Sequence, residues 1–396
     1  MSATGPIRIG YSLSLSGPLG ANGQTAFLAQ RIWEEDVNRR GGLLGRPVQL
    51  VCFDDKSDAS LVPANYDKLL DVEKVDLVLG GYGNNSLTPA MPRVIERKRY
   101  FVGLMSLGAN LRFEYAGYFA MIPTGPDPNT ALTAGFFEVA ARQKPKPQTV
   151  AILAADADFS RNPITGAHVN AEKNGLRIIS ETKYPLSTKD FAPLLREVGK
   201  TSPDILFLCS YLNDSIGLVR GISDVGLQPK VVGGAMIGPQ SSAVQTALGP
   251  LLNGLVNYEY WLPVPKMIVP GVEDVIRRYQ ARAASEGADA LGYYVAPMAY
   301  AQMQVVEQAV SATKSLGDGA LIEYTRTASF STAAGDVKFG KGGEWSAARV
   351  LQVQFREIRS NDIGEFRDAR TRAVVSPASV ASGELIYPYA QAKKPR

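Results

Sequence analysis

A chain of 396 residues with 45% hydrophobic and 20% charged side chains is an ordinary globular sequence, sized for about two domains and not low in complexity. Its formal charge is +4, with acidic and basic residues well mixed, and only ERKR (Glu96–Arg99) and the C-terminal KKPR cluster, as solvated helix-end and tail charges, so no nucleic-acid partner is expected. No apolar stretch reaches the ~18–20 residues that cross a bilayer, so no direct membrane insertion is expected either.

In chain order, PIRIGYSLSL reads as a strand and SGPLGANG as a turn. A helix over 24–39 follows, with Ala26, Ala29, Trp33 and Val37 on one face, and Gly41-Gly42 stops it. PVQLVCF is the next strand, 60–73 a helix, 77–79 a third strand, 86–98 a third helix and RYFVGLM a fourth strand. Several of these strands are continuous apolar runs, the mark of a parallel sheet covered on both faces. MIPTGPDPNTA (121–131) then suggests a crossing between lobes. The alternation restarts with strands TVAILAA, LRIISE, DILFLCS and KVVGGA, separated by helices near 163–174, 189–199 and 214–224. After GLVNYEYW come helices over 272–285 and 290–314, then a hairpin pattern in GDVKFGKGGEW and RVLQVQFREI.

The expected fold is therefore α/β, with two doubly wound parallel-sheet lobes, a three-crossing hinge and a ligand cleft between them. Lobe I takes 6–124 plus 257–333 and lobe II 125–256 plus 334–390, with hinges near 124–128, 255–259 and 331–336. The halves resemble a structural duplication without a residue-level repeat.

Catalytic signals are absent. His168, the sole histidine, lies in a polar helical segment and reads as a surface residue. There is no G-x-S-x-G, H-E-x-x-H or paired C-x-x-C, so neither an enzyme nor a metal site is expected, and no cofactor. Cys52 and Cys209 lie in apolar strands and read as buried thiols, with one disulfide left open.

The informative stretch is DLVLGGYGNNS, where an apolar strand turns into a helix. It lacks the G-K-[ST] ending of a phosphate loop and the third glycine of a dinucleotide loop. Ligands of open α/β sheets bind at strand C-terminal ends, and helix-start amides favour anions. Tyr82, Gly83, Asn84, Asn85 and Ser86 thus form a candidate site for a carboxylate or amide, neutralised by dipoles instead of a lysine. The next strand ends in LMSLGAN, bringing Ser106, Gly108, Ala109 and Asn110 to the same crevice. From the second half, Phe159, Tyr211 and Met236 fall at matching strand ends and describe an apolar wall.

IRIGYSLSLSGPLGANG, then DVNRRGGLLGRPVQLVCFDDKSDASLVPANYDKLL, then KVDLVLGGYGNNS resemble type I periplasmic solute-binding proteins, in the branched-chain amino acid and amide branch that serves ABC importers. The similarity spans nearly the whole chain. It implies solute capture without catalysis, delivery to a membrane permease and periplasmic location, the chain being the mature part of an exported protein. It further implies that the 83–86 and 106–110 turns hold a polar head and that Phe159 and Tyr211 pack on the ligand. Asp127 and Asn22 match positions near the hinge and after the first turn where relatives contact ligand, while Asp54 and Asp55 match scaffold positions.

Relatives that bind α-amino acids carry an acidic residue where this chain has Ala235 or Met236. A buried ammonium without its counter-ion is costly, which favours a carboxylate or amide ligand, aromatic or aliphatic. Asp214 or Asp127 could still supply the charge, so a branched-chain or hydrophobic amino acid stays open. So does a cytosolic amide sensor on the same fold, whereas an enzyme using a nucleotide or sugar cofactor lacks a fingerprint loop.

Overall fold

The computed structural model describes residues 5–393. They form two compact units, 5–126 with 267–348, and 127–266 with 349–393. The chain builds unit 1 from β1 (Ile7–Leu13), α1 (Gly20–Arg39), β2 (Val48–Asp54), α2 (Val62–Asp67), β3 (Leu77–Tyr82), α3 (Gly83–Glu96), β4 (Phe101–Leu104) and β5 (Tyr118–Met121). Unit 2 follows with α4 (Pro128–Ala141), β6 (Thr149–Ala155), α5 (Asp158–Lys173), β7 (Arg177–Tyr184), α6 (Ala192–Lys200), β8 (Ile205–Ser210), α7 (Leu212–Asp224), β9 (Val231–Met236), α8 (Ser242–Leu248) and β10 (Leu255–Glu259). The chain returns to unit 1 with α9 (Val272–Arg282), α10 (Ala296–Thr313), α11 (Asp318–Thr327), β11 (Ser329–Thr332) and β12 (Gly335–Lys338). It ends in unit 2 with β13 (Leu351–Phe355), β14 (Arg372–Ser376) and α12 (Tyr389–Ala392).

Unit 1 holds a five-stranded sheet in the order β2-β1-β3-β4-β5, parallel throughout. Unit 2 repeats that order as β7-β6-β8-β9-β10 and extends it with β13, antiparallel to β10, and β14, antiparallel to β13. The α/β class with two doubly wound sheets is therefore present, and the common strand order is the duplication seen in the sequence pattern. α10 is buried on nearly every side. Its buried polar groups are satisfied, Tyr300 Oη by donating to Asp36 at 2.8 Å and Gln302 by three partners. Nε2 donates to Gly80 O at 3.0 Å and Val102 O at 2.7 Å, and Oε1 accepts from Gln30 Nε2 at 2.8 Å.

Several details differ from the sequence pattern. α3 begins at Gly83, not at residue 86, which places Asn84 and Asn85 inside its first turn. The second crossing falls at Lys266/Met267, because Leu255–Glu259 is hydrogen-bonded between β9 and β13 in unit 2. The third falls at Ala348/Arg349, because β11 and β12 close on each other within unit 1. The glycine-rich turn 340–343 does reverse the chain, but only Phe339 and Trp345 pair across it, and β13 joins the other unit's sheet. β5 has no counterpart in the sequence reading, since four buried residues, Tyr118–Met121, carry no periodicity to detect.

Candidate functional site

In an open parallel sheet, a crevice forms outside the strand C-termini where successive connections leave in opposite directions. In unit 1 that switch lies between β1 and β3. α3 starts directly on the end of β3. Tyr82 is extended at φ −79°, and Gly83 takes φ +76°, a left-handed value suited to glycine. A Cβ on Gly83 would meet nothing within 4 Å, so the backbone here is open on that side. The first N–H groups of a helix have no acceptor inside it, so those of Gly83–Ser86 collect at this edge with the positive end of the helix dipole.

Most of the nominated side chains brace this edge. Asn84 Nδ2 donates to Leu107 O at 2.9 Å, and its Oδ1 accepts from Leu107 N–H at 2.8 Å, stapling the loop after β4 to the start of α3. Asn110 Oδ1 accepts from Tyr115 N–H at 2.9 Å, and its Nδ2 donates to Tyr115 O and Gly342 O at 3.1 and 2.9 Å. Asn22 Nδ2 donates to Tyr82 Oη at 2.8 Å, joining α1 to the end of β3. Ser106 differs. It is 1% exposed, and its hydroxyl has no hydrogen-bond partner among the described residues. Gly108 turns the chain at φ +62° into a short 3₁₀ segment that begins with buried Ala109, and Asn85 is exposed.

Beneath the edge lies a buried carboxylate. Asp55, 1% exposed, accepts from Ser14 Oγ at 2.5 Å, from Ser57 N–H at 3.0 Å and from Ser86 Oγ at 3.1 Å, with Ser12 Oγ at 3.3 Å. It therefore ties the ends of β1 and β2 to α3. Burial works against the ionised form of Asp54. The hydrogen bonds from Ser16 Oγ and from the amides of Lys56, Leu15 and Ser16 outweigh it and hold this carboxyl below its ordinary value. Both acids are placed as scaffold.

In unit 2 the corresponding switch lies between β6 and β8. Phe159, in the first turn of α5, and Tyr211, capping α7, meet edge-to-face with ring centroids 6.0 Å apart. Asp214 accepts from Tyr211 N–H at 2.9 Å and from Tyr184 Oη at 2.7 Å, so both of its oxygens are engaged. Asp127 is exposed and accepts from Thr130 Oγ1 at 2.6 Å at the start of α4. Met236 is fully buried, and its backbone is gripped by Asn257 on both sides, at 3.0 and 2.8 Å.

Two residues at these edges were not nominated. Tyr294 sets its ring edge-on to Tyr82 at 6.4 Å, and Glu259 ends β10 with 1% exposure. An acid within the apolar run NYEYW was the available signal for Glu259. His168 lies half-exposed with Nε2 2.7 Å from Glu181, and Cys52 and Cys209 are free thiols. Among the described residues, no group of three or more His, Cys, Asp and Glu side chains is placed to hold a metal, and no helix is long and apolar enough to cross a membrane.

A family model described as periplasmic binding protein matches residues 6–356. The chain belongs to the periplasmic binding protein family. It is 22% identical over 374 residues to Leu/Ile/Val-binding protein homolog 8 of Brucella abortus, covering 90% of each sequence. Among solved structures, it is similar to a branched-chain amino acid transporter substrate-binding protein of Streptococcus pneumoniae bound to isoleucine, with a TM-score of 0.73, 15% identity and coverage of 97% of this chain and 100% of that one. It is likewise similar to a solute-binding protein of an ABC transporter of Rhodopseudomonas palustris bound to 3,4-dihydroxybenzoic acid, with a TM-score of 0.74, 15% identity and coverage of 90% and 94%. At such identities the structures establish the shared fold. This periplasmic binding protein is thus similar in fold to solute-binding and substrate-binding proteins of transporters.

Proposed function

We propose that this periplasmic binding protein is the solute-binding component of an ABC importer and captures a small molecule bearing a carboxylate or amide. The observation that carries this reading is the β1/β3 edge of unit 1. There the open amides at the start of α3 are held in place by the Asn84–Leu107 pair, beside the buried hydroxyl of Ser106. Asn84, Asn85, Ser86 and Ser106 bring donors without charge above the hydrogen-bonded Asp55, so a polar head would be held by dipoles. A ligand-driven closure about the chain crossings requires tighter binding to the closed form than to the open one. Delivery to a membrane permease in the periplasm completes the role.

Asp214 is engaged by Tyr184 and Tyr211, and Ala235 and Met236 offer no charge. These features favour an acid or amide without an ammonium group, in the manner of the 3,4-dihydroxybenzoic acid held by the Rhodopseudomonas neighbour. A second reading, a hydrophobic amino acid, is favoured by buried Glu259 at the end of β10, a carboxylate suited to an ammonium. Calorimetric titration with benzoate, benzamide and leucine separates the two. Saturable binding of benzoate or benzamide without leucine supports the first. Leucine binding that Glu259→Gln weakens at least tenfold, with no response to the acid or amide, replaces it with the second.

A further inference from the structure

A strand at the end of a sheet turns the N–H and C=O of every second residue outward, a ready template for another chain. The two large sheets end in β2 and β5 in unit 1 and in β7 and β14 in unit 2. Backbone contacts or charge close β5, β14 and β7. Ala120 N–H of β5 donates to Gly343 O at 2.8 Å, where a glycine turn lies against the strand and buries Glu344. Val374 N–H of β14 donates to Ser382 Oγ at 3.0 Å, and Val374 O accepts from Ser382 N–H at 2.9 Å. β7 carries Arg177, Glu181 and Lys183 along its length.

β2 is closed differently. Its VQLVCF run, Val48–Phe53, holds no charge, proline or glycine, the composition of segments that pair edge to edge. Residues 50–54 are only half-buried. Ile7 N–H donates to Pro47 O, so the alternation turns the backbone groups of Val48, Leu50 and Cys52 away from β1. α1 supplies what a neighbouring strand would. Asn38 Oδ1 accepts from Val48 N–H at 2.7 Å while its Nδ2 donates to Val48 O at 2.9 Å, the exchange that two paired strand residues make. Glu34, one turn earlier on the same helix face, accepts from Leu50 N–H at 2.8 Å through Oε1.

We propose that Asn38 and Glu34 guard a latent interface for a second copy of this chain, and that freeing the β2 edge lets it pair antiparallel with β2 of that copy. The occupant is a second copy because an uncharged edge is its own complement. Two-fold pairing presents the same outward row from both partners and needs no other surface. The guard covers Val48 and Leu50, and the row continues to Cys52, so the pairing centres on Leu50.

Sedimentation velocity on the full chain compares the wild type with the double variant Glu34→Ala/Asn38→Ala. The double variant is expected to self-associate about tenfold more tightly, since pairing restores hydrogen bonds that its edge has lost. Hydrogen exchange is expected to find its β2 amides open when dilute and protected as it associates. Glu34→Gln keeps an acceptor for Leu50 N–H and is expected to sediment as the wild type does. Gln49→Lys, at an exposed position of the run, is expected to reverse the association when added to the double variant, because like charges on paired edges repel. The proposal is overturned by a folded double variant that associates no more than the wild type, by association that leaves the β2 amides open, by association that Gln49→Lys does not weaken, or by Glu34→Gln associating as the double variant does. Melting curves establish that each variant folds. Should the double variant fail to fold, exchange in the wild type decides: Val48 and Leu50 amides slower than that of Cys52 support the guard, and equal rates overturn it.

Discussion

Asn84 shows how a side chain can brace a proposed binding edge through its own backbone partners. Both ends of its amide are spent on Leu107, so its contribution is to hold the Ser106 loop against the start of α3. Asn84→Ala is expected to lower stability by about 1–2 kcal/mol, the cost of two lost hydrogen bonds that leave Leu107 groups unsatisfied. It should weaken solute binding as well. Paired melting and titration experiments check both. The residue types at this edge were legible in the sequence, because donors without charge at a strand end suit a carboxylate or amide. Their division of labour was not. Whether an asparagine faces a solute or a neighbouring protein group depends on side-chain direction, as Asn22 on the Tyr82 hydroxyl and Asn84 and Asn110 on backbone carbonyls demonstrate. Glu344 gave no sequence signal at all, since its burial follows from the close approach of Gly343 to β5. Its folded value of about 8 lies above the ordinary 4.5. The folded state therefore binds more protons than the unfolded chain between those two values. Stability from this group is fully present below the ordinary value and is lost as pH rises toward about 8. The loss is on the order of 5 kcal/mol, and Glu344→Gln should flatten this slope in denaturant titrations across the same pH range.

At the scale of elements, α3 matters most. Its start at Gly83 turns the GNNS run into a first helical turn and aims its free amides at the β1/β3 switch. Gly83→Val would place a β-branched residue at a left-handed position, costing about 1–2 kcal/mol, and would crowd the open side of those amides. The expected result is a modest fall in melting temperature with at least a tenfold loss of solute affinity. A variant that melts lower but binds normally would remove α3 from the site. The strand–helix alternation was legible from apolar runs and helical spacing, including its restart in the second half, whereas the strand order of the sheets was not. Elements that escaped did so for stated reasons. β5 is four buried residues with no period, and β13 follows a hairpin-like turn yet finds its partners in β10 and β14. A glycine-rich turn specifies a chain reversal, whereas strand partners are chosen by long-range pairing.

For the whole molecule, two units each carry a sheet with the same five-strand order, and the chain passes between them at Pro126, Lys266 and Ala348. Two of these crossings lie later than the sequence pattern suggested, because local pairing kept β10 in one unit and the β11–β12 hairpin in the other. A solute that binds only the folded protein stabilises it by about 2.7 kcal/mol at a hundred times its dissociation constant. The melting temperature should therefore climb with benzoate concentration and not with leucine. The central claim, that peptide dipoles at the start of α3 grasp the head of a small acid, is tested most directly by the backbone amide resonances of Gly83, Asn84, Asn85 and Ser86 during a benzoate titration. The expected result is a saturable shift of these amides that tracks the calorimetric binding curve. Saturable binding that leaves all four unmoved would contradict it.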